Sequence, residues 1–175
     1  MAYVKRLRNS FFWRDVLDVA PDLLGKSLIR KFPDGTISRF IISETEAYRG
    51  SEDRACHASK GRTARTEVMF HNGGLVYVYF VYGMYWMLNF VTGNQEDASA
   101  VLIRGLDNTF GPGKVGKILQ IDSSFYSENL KISQRIWIED PNPGTLNFTT
   151  HPRIGIHYAG EPWISKPWRF RLLFG

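Results

Sequence analysis

The chain carries one cysteine, Cys56, in 175 residues. That excludes an intramolecular disulfide and any metal site built on clustered thiolates. Its four histidines, His57, His71, His151 and His157, are too scattered for a local ligand motif, and no metal or cofactor is expected. No apolar run approaches the length of about 20 residues that spans a bilayer. The basic stretch from Met1 to Arg8 has no secretory apolar segment behind it. An intracellular protein that does not enter a membrane is expected. Internal repeats, low-complexity tracts and dividing linkers are also missing, so residues 1–175 read as one domain. Acidic side chains are the minority charge, 17 Asp and Glu against 22 Lys and Arg, for a formal charge of +5. Such a balance favours a polyanionic partner such as nucleic acid.

What the sequence does have is aromatic and β-branched runs punctuated by turns. Ser10 is placed to cap a helix with Phe12, Val16, Val19, Ala20 and Leu23 at helical spacing, kinked at Pro21 and closed by Gly25. Ser27 to Lys31 and Arg39 to Tyr48 read as strands joined at Pro33-Asp34-Gly35. Residues 49–74 are polar, with four glycines, and read as a long ordered loop with one helical turn. Leu75–Tyr82 and Tyr85–Asn89 form an aromatic hairpin turning at Tyr82-Gly83-Met84, followed by a strand from Ala98 to Leu106. Gly111 to Leu119 opens a second helix with lysines in its first turns, without the glycine-lysine-serine ending of a nucleotide-binding P-loop. Ile136–Ile138, Arg153–Tyr158 and Trp168–Phe174 are further strand candidates. The expected fold is α+β: a mostly antiparallel, curved sheet with flanking helices and a protruding hairpin.

Chemistry concentrates between Ile41 and Asn89. A strand over Ile41–Tyr48 places Ile42, Glu44, Glu46 and Tyr48 on one face by its period of two. Two carboxylates beside a tyrosine are a costly way to build a core. Tyr77 and Tyr79 share one hairpin face, and Tyr82 stands at the tip. Between these runs, the loop holds His57, Arg62 and Arg65.

Here the motifs resemble those of the alkyladenine (3-methyladenine) DNA glycosylase family. The matching residues are Glu44-Thr45-Glu46-Ala47-Tyr48, Glu52-Asp53 to His57, Gly61-Arg62-Thr63, Val68-Met69-Phe70, Tyr77-Val78-Tyr79, Tyr82-Gly83-Met84-Tyr85 and Leu88-Asn89. Phe11-Phe12, Leu23-Leu24-Gly25-Lys26, Gly111-Pro112-Gly113-Lys114, Arg153-Ile154-Gly155-Ile156 and Lys166-Pro167 follow the same order. The resemblance covers almost the whole chain. It implies a monofunctional base-excision repair enzyme that removes alkylated or deaminated purines from damaged double-stranded DNA, as a monomer, without metal or covalent intermediate.

Residue by residue, the resemblance implies Glu46 as the water-activating carboxylate; Glu44, by contrast, reads as a structural group or a support behind it. The resemblance also implies Tyr48 and Tyr79 as the walls stacking a flipped base, His57 as a polar edge of the pocket, and Asn89 as a discriminator against normal purines. Tyr82 matches the wedge that fills the gap left by the extruded nucleotide, and Arg104 a phosphate or pocket-organising contact. Arg62, Arg65, Lys114, Lys117 and Lys166 are candidate phosphate contacts. Two departures stand out. The connection Leu106–Phe110 is shorter than the family's, and Thr63-Ala64-Arg65-Thr66 replaces the usual Thr-Pro-Arg-Asn, which is expected to loosen the loop presenting Arg65. Two other readings compete: a non-catalytic nucleic-acid-binding module using the aromatic hairpin, which gives no reason for Glu46 beside Tyr48, and a metal-dependent hydrolase with ligands drawn from distant segments.

Overall fold

The computed structural model describes residues 4–141 and 144–174. Met1, Ala2 and Tyr3 of the N-terminal stretch lie outside the described residues, as do Asn142, Pro143 and Gly175, the last residue of the expected 1–175 domain. Ten strands and two helices are described: β1 (Lys5–Arg6), α1 (Val16–Asp22), β2 (Ser27–Lys31), β3 (Ile37–Tyr48), β4 (Val76–Val81), β5 (Tyr85–Thr92), β6 (Ser99–Leu106), β7 (Thr109–Phe110), α2 (Pro112–Ile118), β8 (Ile136–Asp140), β9 (Phe148–His151) and β10 (Arg169–Leu172). Every strand pair is antiparallel. The main path runs β1-β8-β2-β3-β6-β5-β4, with β10 between β3 and β9 and with β7 on β6. This is the α+β, mostly antiparallel architecture that the sequence pattern predicts.

Strand β3 is the pivot. Its first half pairs with β2 (Ile37–Ile41 against Lys31–Ser27), and its second half with both β6 and β10. A register irregularity between Ile42 and Thr45 interrupts the β3–β6 ladder. One extra residue there switches faces, so Ile42 joins Ala47 in the main core. The alternation argument had set Ile42 beside Glu44 and Glu46; the bulge removes it from that face. Thr45 faces α1, its hydroxyl donating to the Ala20 carbonyl at 2.8 Å. Glu44, Glu46 and Tyr48 are left on the opposite side.

The N-terminal helix differs from expectation. Asn9–Phe12 is a 3₁₀ turn, and α1 begins only after Asp15, whose carboxylate accepts the Leu17 N–H at 2.9 Å. Asp15, not Ser10, is therefore the cap; it sits immediately before the first helical residue, where a side-chain oxygen reaches an orphan N–H. Gly25, at φ +77, closes the turn as expected. The stretch Arg153–Tyr158 is not a strand. Gly155 sits at φ +75, and the chain ends in a 3₁₀ turn over His157–Ala159, a path no ladder follows. β9 was not foreseen.

The long segment 49–74 holds two 3₁₀ turns, His57–Lys60 and Glu67–Phe70. The Thr63-Ala64-Arg65-Thr66 stretch is held by its own hydrogen bonds. The Thr66 hydroxyl accepts the Thr63 N–H at 2.9 Å and donates to the Gly61 carbonyl at 3.0 Å, stapling the turn that carries Arg65. The short 106–110 connection is a tight reversal into β7, which runs straight into α2. Helix α2 lies hard against β5: a Cβ on Gly116 would stand 1.9 Å from the Trp86 carbonyl oxygen, and one on Gly113 2.8 Å from the Tyr85 ring. Only hydrogen fits there. The core under these elements includes Leu23, Leu28, Ile42, Leu88, Phe90 and Ile103, all fully buried. At about 1.5–3 kcal/mol for each such side chain, it makes a stiff bed for the face above.

Candidate active site

A cavity of about 350 Å³ opens on the side of the sheet away from α1, near the low end of the roughly 300–1,000 Å³ typical of small-ligand sites. Its lining draws Glu46 and Tyr48 from β3, His57 from the long segment, Tyr79 from β4 and Asn89 from β5. Arg104 from β6, Pro112 at the start of α2, Tyr82 at the hairpin tip and the 154–158 turn complete it. Glu46 is fully buried. Its Oε2 accepts from the Tyr48 hydroxyl at 2.8 Å and its Oε1 from the Ile154 N–H at 2.9 Å. Arg104 Nη1 stands 3.6 Å from Oε1. Burial pushes the carboxyl up from its ordinary value, and Arg104, the Ile154 N–H and Tyr48 pull it partly back. Glu44 is held by Arg169 at 2.9 Å and Arg104 at 3.4 Å, the ion pairing of a structural group.

The phenols are kept neutral. Burial, with Glu46 adding to it, raises Tyr48 well above 10, and burial likewise raises Tyr79. His57 stands edge-on to Tyr79 with ring centroids 4.5 Å apart, and its Nδ1 lies 2.8 Å from the Tyr77 hydroxyl. Burial, then Arg65, lowers its pKa to about 4, so the imidazole is neutral near pH 7. The Asn89 side-chain nitrogen donates to the Tyr77 carbonyl at 3.2 Å.

Tyr82 and Met84 are 87% and 62% exposed. The Met84 N–H donates to the Val81 carbonyl at 3.1 Å, and both central residues have positive φ, +53 for Tyr82 and +64 for Gly83. Positive φ at consecutive residues is what tight hairpin turns use, and here a tyrosine holds a conformation that favours glycine. Of the five basic candidates, Arg65 alone touches cavity-lining side chains, its guanidinium 5.1 Å over the Tyr79 ring. Arg62 is paired to Glu96 and Glu67, Lys114 and Lys117 are exposed on α2, and Lys166 is folded over Trp163 and Trp168. None of these four lines the cavity.

Sequence reasoning missed the role of Arg153 and Asp53, a fully buried pair with contacts of 2.6 and 3.0 Å. It also missed the Ile154 N–H and Tyr158, whose hydroxyl donates to the Ala55 carbonyl at 2.8 Å. The signal was a glycine-broken apolar run behind an arginine, which reads as a strand until its partner is seen. Among the described residues no group of three or more His, Cys, Asp or Glu is placed to hold a metal. No helix among them is long and apolar enough to cross a membrane.

The model of the methylpurine-DNA glycosylase (MPG) family matches residues 10–109 and 106–173. A Legionella pneumophila (strain Corby) protein named "Putative 3-methyladenine DNA glycosylase" is 43% identical over 176 residues, covering 95% of this chain and 94% of its own. Proteins of the same name from Psychrobacter cryohalolentis and Methanocella arvoryzae are each 40% identical, covering 96% and 94% of this chain and 91% and 90% of their own. With nearly every residue matched and relatives at this identity, the chain belongs to the methylpurine-DNA glycosylase family.

Proposed function

We propose that the chain acts as one DNA glycosylase domain, a monomer working inside the cell, that hydrolyses the bond between deoxyribose and a damaged purine in duplex DNA. The substrates are 3-methyladenine, 7-methylguanine and deaminated purines. The observation that carries this reading is the convergence of Glu46, Tyr48, His57, Tyr79 and Asn89, from four separate stretches of sequence, on one cavity. Reaching the bond requires extruding the nucleotide from the stack at a cost of a few kcal/mol. Tyr82, at the exposed tip, is the side chain placed to fill the gap.

Once extruded, the purine stacks between Tyr48 and Tyr79. A base methylated at N3 or N7 is cationic and is drawn to aromatic faces by about 0.5–2 kcal/mol. With its nitrogen engaged by the main chain, Asn89 offers Oδ1 to the base edge, and neutral His57 completes the polar side. Ionised Glu46 takes a proton from water as the oxygen attacks the anomeric carbon and the purine departs with the bond electrons. Arg104, with Nε facing Glu44 at 3.4 Å and Nη1 standing 3.6 Å from Glu46 Oε1, orients that water beside the carboxylate. Among the described residues no lysine lines the cavity, which supports a hydrolase without an amine-based lyase step.

The test is purine release from methylated duplex DNA in EDTA. The wild type should release base without added metal, and Glu46→Gln should bind the DNA while releasing little. Binding without release by the wild type would favour the non-catalytic module; release only with metal would favour the metal-dependent reading.

A further inference from the structure

We propose that Arg153 is the positioning residue that fixes the aim of Glu46 and braces the Tyr48 wall, an inference that rests on the hydrolytic reading of Glu46. Its guanidinium holds four groups at once. It is bidentate to Asp53. Its Nη1 also donates to the carbonyl of Ala47, the residue between Glu46 and Tyr48, at 2.9 Å. Its Cζ lies 4.9 Å over the Tyr48 ring and 5.0 Å over Trp168. Arg153 does not line the cavity; it stands behind the ring that does. The next residue, Ile154, delivers the N–H that holds Glu46 Oε1. One buried side chain thus ties the strand carrying the carboxylate to the turn that aims it.

Stability alone gives no reason for this charge. Replacing a buried ion pair with apolar groups is often neutral or stabilising, and the site lies in well-packed surroundings. A clamp gives a reason: the fork geometry of arginine reaches a carboxylate, a carbonyl and two ring faces together, which lysine does not do. Asp53 is itself fixed by the Arg49 and Ala55 N–H groups, so the clamp is anchored at both ends. The other groups facing Glu46 are Tyr48 on its own strand, Arg104 on β6, Tyr79 on β4 and Tyr158 on the turn. Arg169 of β10 lies opposite it in register, with its charge turned to Glu44.

The experiment is single-turnover release of base from a duplex carrying one hypoxanthine, measured across pH. The proteins are the wild type, Glu46→Gln, Arg153→Lys and the double variant Arg153→Met/Asp53→Asn, which leaves no orphaned charge. Melting temperature and affinity for the matching abasic duplex are read alongside. The double variant should keep its abasic-duplex affinity, lose at least about tenfold in plateau rate, as misaimed catalytic groups do, and show its acid limb at higher pH. Arg153→Lys, with charge but no fork, should lose plateau rate, with its acid limb moved less than that of the double variant. If the double variant does not fold, Arg153→Lys carries the test by the same criterion. An unmoved acid limb with an unchanged rate, or a rate loss that only tracks melting and affinity, would overturn the role of Arg153. Absence of release by the wild type, or full activity in Glu46→Gln, would instead overturn the hydrolytic reading and this inference with it.

Discussion

Shortening Glu46 by one methylene separates the two things a general base needs, its charge and its aim. Glu46→Asp keeps the carboxylate but withdraws it by about 1.5 Å, one C–C bond. In the structure the carboxylate is held by the Tyr48 hydroxyl at 2.8 Å and the Ile154 N–H at 2.9 Å. With β3 pinned on both edges, the backbone cannot follow, and both contacts leave hydrogen-bond range. A misplacement of about 1 Å costs on the order of 10²-fold in rate, and removing the base altogether about 10²–10⁴-fold. The expected order of single-turnover rates on a hypoxanthine duplex is therefore wild type, then Glu46→Asp, then Glu46→Gln. Glu46→Asp at the wild-type rate would refute the argument from aim, leaving only a diffuse electrostatic role for the carboxylate. The pH dependence carries a second check. Only ionised Glu46 accepts a proton, and its pKa is raised by burial, so the wild-type rate climbs with pH through a value above the ordinary carboxylate range. A carboxyl whose folded pKa lies above its unfolded one contributes stability below the unfolded value and loses it as pH rises through the folded value. Glu46→Gln removes that loss: it should melt higher than wild type at neutral pH, and the difference should vanish in acid.

Tyr82 holds φ +53, a left-handed conformation that costs a non-glycine residue about 1–2 kcal/mol; Tyr82→Gly should hold or raise the melting temperature while weakening binding to lesion-bearing duplex, and a fall in both would contradict the wedge role. Gly116→Ala pushes a methyl into the Trp86 carbonyl and should cost about 1–3 kcal/mol by denaturant melt, with slower base release as α2 carries Pro112 away from the cavity. For His57 the folded pKa of about 4 lies below the ordinary imidazole value of 6.5, so the unfolded chain takes up a proton first. Stability from this group is intact above pH 6.5 and drains away as pH falls toward 4. His57→Gln should flatten the acid side of the melting-temperature profile over that window, and an unchanged slope would count against a buried neutral imidazole.

Much of the fold was legible because local signals and long-range pairing agree. The β2–β3 turn at Pro33-Asp34-Gly35 forms where the turn chemistry requires it, with Asp34 accepting the Thr36 N–H at 2.8 Å. The aromatic hairpin is local too, its turn closed by the Met84 N–H on the Val81 carbonyl and its strands paired from Val81 and Tyr85 onward. What failed depended on partners far along the chain. Arg153–Tyr158 has strand-like composition, but its leading arginine is claimed by Asp53, 100 residues away, and the chain bends to deliver an N–H to Glu46. The parity change in β3 was invisible for a related reason: a bulge is set by the neighbouring strand's register, and nothing in Ile41–Tyr48 alone marks it. The lysines on α2 and at 166 lie outside the cavity lining, a placement that charge in a sequence does not reveal.

The bulge also explains how one strand supports a core and a reactive face at once. Without it, strict alternation would put Ile42 on the side of Glu44 and Glu46, and an apolar group would share the polar face. With it, Ile42, Thr45 and Ala47 face α1 and the main core, while Glu44, Glu46 and Tyr48 face the cavity side. A buried carboxylate is costly unless it is hydrogen-bonded and paired, and here the partners come from three places: hydrogen bonds from Tyr48 two residues on and from Ile154 of the far turn, and the charge of Arg104 3.6 Å away on the adjacent strand. Each partner is held by a separate part of the fold. Loosening any one of them should therefore raise the Glu46 pKa and move the acid limb of base release upward, before it lowers the melting temperature.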